Sequence, residues 1–336
     1  MGSVIPIFIP HVGCPHDCIF CNQKKIAGTL SPVEAGEVSR IISDSLKNAK
    51  TPAEVAFYGG SFTAIEKGLM IRYLEAVSPF VANGDISGIR LSTRPDCINE
   101  NVLDILRKYN VHTIELGAQS MDDAVLLKSG RGHTSDNTIS SAKLIKSYGF
   151  SLILQMMTHL PGSNDALDIE TAKKIAALYP DGVRVYPTVV IRNTGLETLW
   201  HEGKYTPATP EEAAELGADI IEIFEAAQIP IIRFGLNPTD ELSGGEALAG
   251  AYHPALGEMA RSHLLLKRAI AEIKKQEISS AELIISVNPA SISAMSGQKK
   301  ENKKRLSALF GFSKISVRGD STLGTYEVRV TVKDKS

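Results

Sequence analysis

The sequence predicts an α/β protein, a partial (β/α)6 barrel followed by a small carboxyl-terminal α+β unit. Three observations carry that expectation. Short β-rich apolar runs alternate with amphipathic runs up to about residue 235, three cysteines crowd the loop after the first run, and polar or Gly/Pro motifs recur at the ends of the later ones. Apolar strands separated by helices imply βαβ units and a parallel sheet, and such barrels carry their chemistry on the loops after the strand carboxyl ends. A chain of 336 residues holds one such domain plus an appendage. The expected division is 1–235 for the barrel, 236–279 for a linker or lid with a connecting helix, and 280–336 for the terminal unit.

The predicted strands are VIPIFIP, EVAFYGG, GIRLSTR, VHTIELGAQS, SLILQMMTHL and GVRVYPTVV. PVEAGEVSRIISDSLKNA and GLMIRYLEAVSPFVAN between them repeat apolar residues at helical spacing. After the barrel, the polar run around Gly244 and Gly245 reads as a loop or lid. ARSHLLLKRAIAEIKK then reads as a helix with Leu264, Leu265, Leu266, Ile270 and Ile273 on one face. The terminal unit reads as strand AELIISVNP, helices ASISAMS and ENKKRLSALFG on either side of Gly297-Gln298-Lys299-Lys300, and strands KISVRG and YEVRVTV.

A formal net charge of −2 excludes bulk electrostatic capture of nucleic acid, so any RNA contact must come from a local patch. With no secretory apolar core, no apolar run of about 20 residues and few, clustered cysteines, the chain is expected to be cytoplasmic and free of the membrane.

The run CPHDCIFCNQ places Cys14, Cys18 and Cys21 on one short loop, and the only other cysteine is Cys97. Zinc favours four protein ligands when structural, so one alternative is a zinc loop completed by His11 and His16, and another is a redox cysteine pair. A [4Fe–4S] cluster held by three thiolates instead leaves one iron free for another ligand. Downstream, Gly59-Gly60-Ser61-Phe62-Thr63 offers a close backbone approach beside two hydroxyls. STRPD carries Arg94 and Asp96, which could equally form a buried ion pair. ELGAQS with Gln119, the spaced RGH with Arg131, and QMMTHLPG follow in turn.

The C-x3-C-x2-C spacing, with Phe20 before the last cysteine, closely resembles the signature of the radical S-adenosylmethionine (SAM) superfamily. STRPD, ELGAQS, RGH, QMMTHLPG and YPTVVIRNTGLETLW together resemble the radical SAM half of the elongator catalytic subunit from about residue 4 to 235, and more distantly oxygen-independent coproporphyrinogen III oxidase. The resemblance implies a TIM-like radical SAM barrel in which Cys14, Cys18 and Cys21 hold a [4Fe–4S] cluster whose open iron chelates SAM. A reductant such as flavodoxin or ferredoxin would then drive cleavage to a 5′-deoxyadenosyl radical. It also implies SAM contacts from Gly59, Gly60, Ser61, Thr63, Arg94, Gln119 and Arg131. Ser61 stands where many members carry Glu. Tyr186 and Arg192 are candidates to orient substrate or the adenosyl group, whereas His133 and His159 are assigned structural roles. The acetyltransferase domain of the elongator subunit has no counterpart here, so its acetyl-dependent chemistry does not carry over.

The βααββ order of the terminal unit, with its Gly-started tetrapeptide, resembles a K-homology (KH) RNA-binding domain. That likeness implies contacts to RNA from Gly297, Lys299, Lys300, Lys303, Lys304 and Arg305. Lys300 replaces the second glycine of the KH loop, and a packing appendage with a solvated basic helix is the alternative. Three functions stay open at this point: a radical SAM enzyme acting on RNA such as tRNA, one acting on a small molecule, and an RNA-binding protein with a structural or redox-sensing cluster. The substrate and the bond changed are not legible in the chain.

Overall fold

A computed structural model of the chain describes residues 3–9, 14, 16–22, 33–50, 52–237, 242–278 and 282–332. Seven parallel strands form an open, curled sheet in the order β1 (Val4–Ile9), β2 (Ala53–Gly59), β3 (Ile86–Thr93), β4 (Val111–Gln119), β5 (Ser151–Thr158), β6 (Gly182–Pro187) and β8 (Ile231–Phe234). The helices between them are α1 (Ala35–Leu46), α2 (Lys67–Ala82), α3 (Glu100–Lys108), α4 (Asp123–Lys128), α5 (Ser135–Ser147), α6 (Asp165–Ala176), α7 (Gly195–His201) and α8 (Pro210–Ala226). Successive strand residues point to opposite faces. Ile5, Ile7, Leu91, Ile114, Leu154 and Val185 therefore face the helices, where they pack with Tyr73, Leu103, Ile145 and Phe224.

The sequence accounts for the loops at the strand ends. Asn99, Asp122, Thr134, Asn164, Thr194 and Thr209 each accept a backbone N–H two or three residues into the following helix. Each cap satisfies a donor that the helix cannot pair internally. Gly59 closes β2 at φ 110°, and a Cβ there would lie 2.4 Å from the Ile9 carbonyl oxygen.

Two features differ from expectation. The sequence yields six barrel strands, but β8 adds a seventh; it has only four residues and follows Pro230, so no periodicity announces it. GVRVYPTVV is not one strand either. It ends at Pro187, after which β7 (Val189–Ile191) leaves the sheet and pairs antiparallel with β9 (Ala247–Gly250). Beyond Gly244 and Gly245, which are exposed, Ala251 and Leu256 bury against Ala213 and Ala214 of α8.

Helix α9 (Leu256–Lys275) has two apolar faces. Ala260 and Leu264 meet Ala218 and Ile221 of α8, while Leu265, Ala269 and Ile273 form a core with β10 (Glu282–Val287) and β12 (Val328–Val332). Lys267 pairs with Asp219 and Glu222 at 2.8 and 2.7 Å along the α8 seam. The terminal segment runs β10, α10 (Ile292–Ser296), α11 (Glu301–Phe310), β11 (Lys314–Gly319) and β12. Its sheet has the order β11-β10-β12, parallel on the first side and antiparallel on the second.

Glycine requirements make the first test. Gly59→Ala combines a left-handed φ with a backbone clash, each costing about 1–2 kcal/mol or more, so its urea midpoint should fall clearly. At Gly36 of α1 a Cβ would have no atom within 4 Å, and Gly36→Ala should raise stability by about 0.5 kcal/mol. Equal midpoints for the two variants would contradict the close approach of β1 and β2.

Candidate active site

The carboxyl ends of β1 to β5 converge on a cavity of about 220 Å³. Cys14, Cys18 and Cys21 line it from the loop after β1, together with His16, Asp17 and Phe20. Gly59, Gly60 and Ser61 come from β2, Ser92, Thr93 and Arg94 from β3, Gly117 and Gln119 from β4, and Gln155 from β5. His11 lies outside the described residues.

The cysteine loop is fastened from several directions. Cys21 N–H donates to the Cys18 carbonyl at 3.0 Å, Ile19 N–H to the Ser129 carbonyl at 3.2 Å, and Leu196 N–H to the Ile19 carbonyl at 2.7 Å. The Asn22 amide donates to the Arg192 carbonyl at 2.7 Å. Ile19 and Phe20 pack against the buried cluster of Val190, Leu196 and Tyr205. A side chain at Gly130 or Gly132 would meet the Asp17 carbonyl at 3.0 Å or the His16 ring at 2.3 Å. The glycines around Arg131 thus let that segment lie against the cysteine loop.

Arg131 donates to the Gly117 carbonyl at 2.6 Å and to Cys18 Sγ at 3.4 Å. Arg94, 2% exposed, forms the expected ion pair with Asp96 at 3.0 Å and also donates to the Arg131 carbonyl. It still has a free donor: Arg94 Nη1, Arg131 Nε and Gln119 Oε1 are buried without hydrogen-bond partners. The register shifts between Gly117 and Gln119, and Gln119 takes φ 66°; such a bulge re-aims a side chain. Burial pushes the Cys14 thiol up, against the pull of Arg94.

These features suit a cluster with a bound amino acid. Three thiols are a soft ligand set matching iron–sulfur chemistry. Two unspent guanidinium donors and one unspent amide oxygen match a ligand carrying a carboxylate together with amine or hydroxyl donors. Leaving such groups unpaired costs about 1–3 kcal/mol each, which a bound ligand would recover.

The sequence-predicted residues separate into two groups. Gly59, Gly60, Ser61, Arg94, Gln119 and Arg131 line the cavity with the cysteines. The Ser61 hydroxyl, however, bonds Thr93 at 3.0 Å and accepts from Arg94 N–H. Thr63 is outside the cavity lining and donates to the Cys97 carbonyl at 2.7 Å. Tyr186 lies in register with Met157, two residues nearer the strand carboxyl ends than the cavity-lining Gln155, but is itself outside the lining and half-buried. Arg192 is exposed beside the β7–β9 pair, where its guanidinium donates to the Gly245 carbonyl. His133 bonds the Ala118 carbonyl and His159 faces Asp165, as structural histidines would.

Sequence reading assigned no role to the polar network under the cavity. Glu115, 0% exposed, accepts from Tyr58 Oη at 3.0 Å, Arg184 Nη2 at 3.0 Å, Arg90 at 3.3 Å and Gln155 Nε2 at 3.0 Å. Arg90 also pairs with Glu54 at 2.7 Å. Since Glu115 takes the Gln155 NH2 group, the Gln155 carbonyl oxygen is the end left for the cavity it lines. Burial, with Glu115 next, pushes the Tyr58 phenol up to about 12. Polar residues at alternate positions of successive strands were the available signal.

The fold and site together define a partial-barrel protein with a three-thiol cluster loop at its mouth. A family model described as the radical SAM superfamily matches residues 8–175, and the radical SAM C-terminal domain matches residues 180–267. The chain belongs to the radical SAM superfamily, and its cofactors are a [4Fe–4S] cluster and SAM. Human elongator complex protein 3 is 38% identical over 140 residues, covering 40% of this chain and 25% of the human protein. The chain therefore spans about a quarter of that relative's length. The structure of Methanocaldococcus infernus Elp3 aligns with a TM-score of 0.60 at 21% identity, covering 83% of this chain and 64% of that one. Streptococcus suis SuiB bound to S-adenosylmethionine aligns at 0.53 and 16% identity, covering 70% and 51%. Among the described residues no helix is long and apolar enough to cross a membrane.

Two tests follow from this geometry. Gln119→Asn keeps a residue tolerant of left-handed φ but withdraws the amide, so SAM affinity should fall about tenfold while iron content stays unchanged, a lost hydrogen bond to a charged ligand being worth about 1.5–3 kcal/mol. Unaltered affinity in a titration would remove Gln119 from the pocket. Separately, burial, with repulsion from Arg131, pushes His133 from 6.5 down to about 4. Between those values the unfolded chain binds a proton that the folded chain refuses. Stability should therefore drop by about 3 kcal/mol as pH falls through that window, and less in His133→Gln; parallel pH profiles would contradict it.

Proposed function

We propose that Cys14, Cys18 and Cys21 hold the cluster, that Gln119, Arg131, Arg94 and the Gly59-Gly60 edge hold SAM, and that the substrate is RNA, of the tRNA type implied by the elongator resemblance. When bound, the cluster and SAM supply one-electron cleavage and a carbon radical able to abstract hydrogen. The chain's part is to orient the SAM carboxylate and amine and to enclose the reacting end. The division at 1–235, 236–279 and 280–336 assigns cofactor chemistry to the first part and RNA contact to the last.

The observation that carries the RNA reading is the backbone of the tetrapeptide Gly297-Gln298-Lys299-Lys300. Lys299 and Lys300 adopt φ 48° and 63°, so Lys300 holds the left-handed conformation a second glycine would take, at a cost of about 1–2 kcal/mol. Stability alone favours glycine there; a lysine is worth its strain if the charge is used. Lys299, Lys300 and Lys303 have no ion pair among the described residues. The turn borders a groove of about 520 Å³ lined by Lys299, Lys304 and Arg305 opposite Met259 and His263 of α9. Lys300, left-handed ahead of the helix, and Lys303 are not in that lining, and Arg305 is partly engaged by Glu211 at 3.2 Å.

Removing residues 280–336 is a poor test, since it would bare Leu265, Ala269 and Ile273 of α9. Point variants avoid this. Lys299→Glu with Lys304→Glu should weaken tRNA binding and lower the magnitude of the salt slope by about 1 or more per lost phosphate contact, with SAM binding intact. Anisotropy titrations at two salt concentrations showing no change would return the segment to a packing role.

A further inference from the structure

The barrel is open between its edge strands β1 and β8. On β1, Ile5, Ile7 and Ile9 are buried under the helices, while Val4, Pro6 and Phe8 face the lumen side and are exposed. Phe8 is 52% exposed although its neighbours in the strand are almost wholly buried. It lies in register with Tyr58 of β2, their ring centroids 6.5 Å apart and tilted by 45°. Tyr58 cannot swing away, because its hydroxyl is held by Glu115. Glu115 in turn holds Gln155, which lines the cofactor cavity, and Gly59, next after Tyr58, lines it too. The two rings thus sit on the rung adjoining that cavity, beside a set of fixed donors and acceptors.

A phenylalanine left half exposed forgoes much of the burial that stabilises apolar side chains inside a fold. An aromatic face next to oriented polar groups suits a planar ring with hydrogen-bonding edges. RNA bases taken out of their stack are held in this way, on an aromatic face with their edges read by polar groups. We propose that Phe8, backed by Tyr58, is the stacking platform for one unpaired nucleobase of the RNA substrate, holding it beside the cofactor cavity. This rests on the RNA reading above but uses a different part of the molecule.

The test uses the full chain with its cluster, a tRNA stem-loop with an unpaired loop, and a duplex built from its stem. Phe8→Leu keeps apolar bulk without a ring, and Phe8→Trp keeps a ring; iron content and melting temperature check folding of both. The expected result is a 5- to 100-fold loss of stem-loop affinity in Phe8→Leu, near wild-type affinity in Phe8→Trp, an unchanged salt slope, and no change for the duplex. Wild-type stem-loop affinity in Phe8→Leu overturns the platform while leaving the RNA reading in place. Failure of the unaltered protein to bind the stem-loop better than the duplex overturns both.

Discussion

The site depends on the way one arginine fastens the cysteine loop to the sheet. Arg131 reaches the Gly117 carbonyl at the end of β4 and Cys18 on the loop, and its own carbonyl is held by Arg94 at the end of β3. The loop also rests on backbone bonds to Ser129 and Leu196, on the Asn22 amide's bond to the Arg192 carbonyl and on the packing of Ile19 and Phe20. Buried guanidiniums are expensive to desolvate. Arg94 offsets the cost with Asp96, and Arg131 with carbonyl and thiol acceptors, yet both cavity-lining arginines retain a buried nitrogen without a hydrogen-bond partner. The fold thus maintains unspent donors where an anionic ligand group would complete them.

Below the cavity the same economy of charge recurs. Two arginines, Arg90 and Arg184, are set against Glu54 and Glu115, so these four charges balance one another. Partly satisfied networks of this kind are costly, whereas satisfied ones fix side-chain orientation. Here the fixed groups are Tyr58 and Gln155, one beside the exposed ring of Phe8 and the other in the cofactor cavity. Glu115 therefore links the cavity-lining Gln155 to Tyr58 in the lumen.

Much of this was legible in the sequence where chemistry is local. The cysteine triplet, the strand-end glycines and the Gln119 and Arg131 motifs each declare themselves within a few residues, and the structure brings them to one cavity. The Glu115 network was not legible, because its members come from β2, β3, β4, β5 and β6 and meet only through sheet register. Thr63 misled for the opposite reason: a hydroxyl near two glycines looks like a ligand, but the adjoining helical turn directs it to Cys97. The short strand β8 and the break at Pro187 escaped notice because four residues, or one proline, carry no periodicity.

The central claim is that three thiols leave one iron open and that the polar groups around it present the SAM carboxylate and amine to that iron. Electron–nuclear double resonance on the reduced, reconstituted protein tests it directly, with SAM labelled by 17O in the carboxylate and 15N in the amine. The account predicts hyperfine coupling from both labels to a [4Fe–4S] cluster, retained in Cys97→Ala. A cluster spectrum showing no coupling to either label would contradict it.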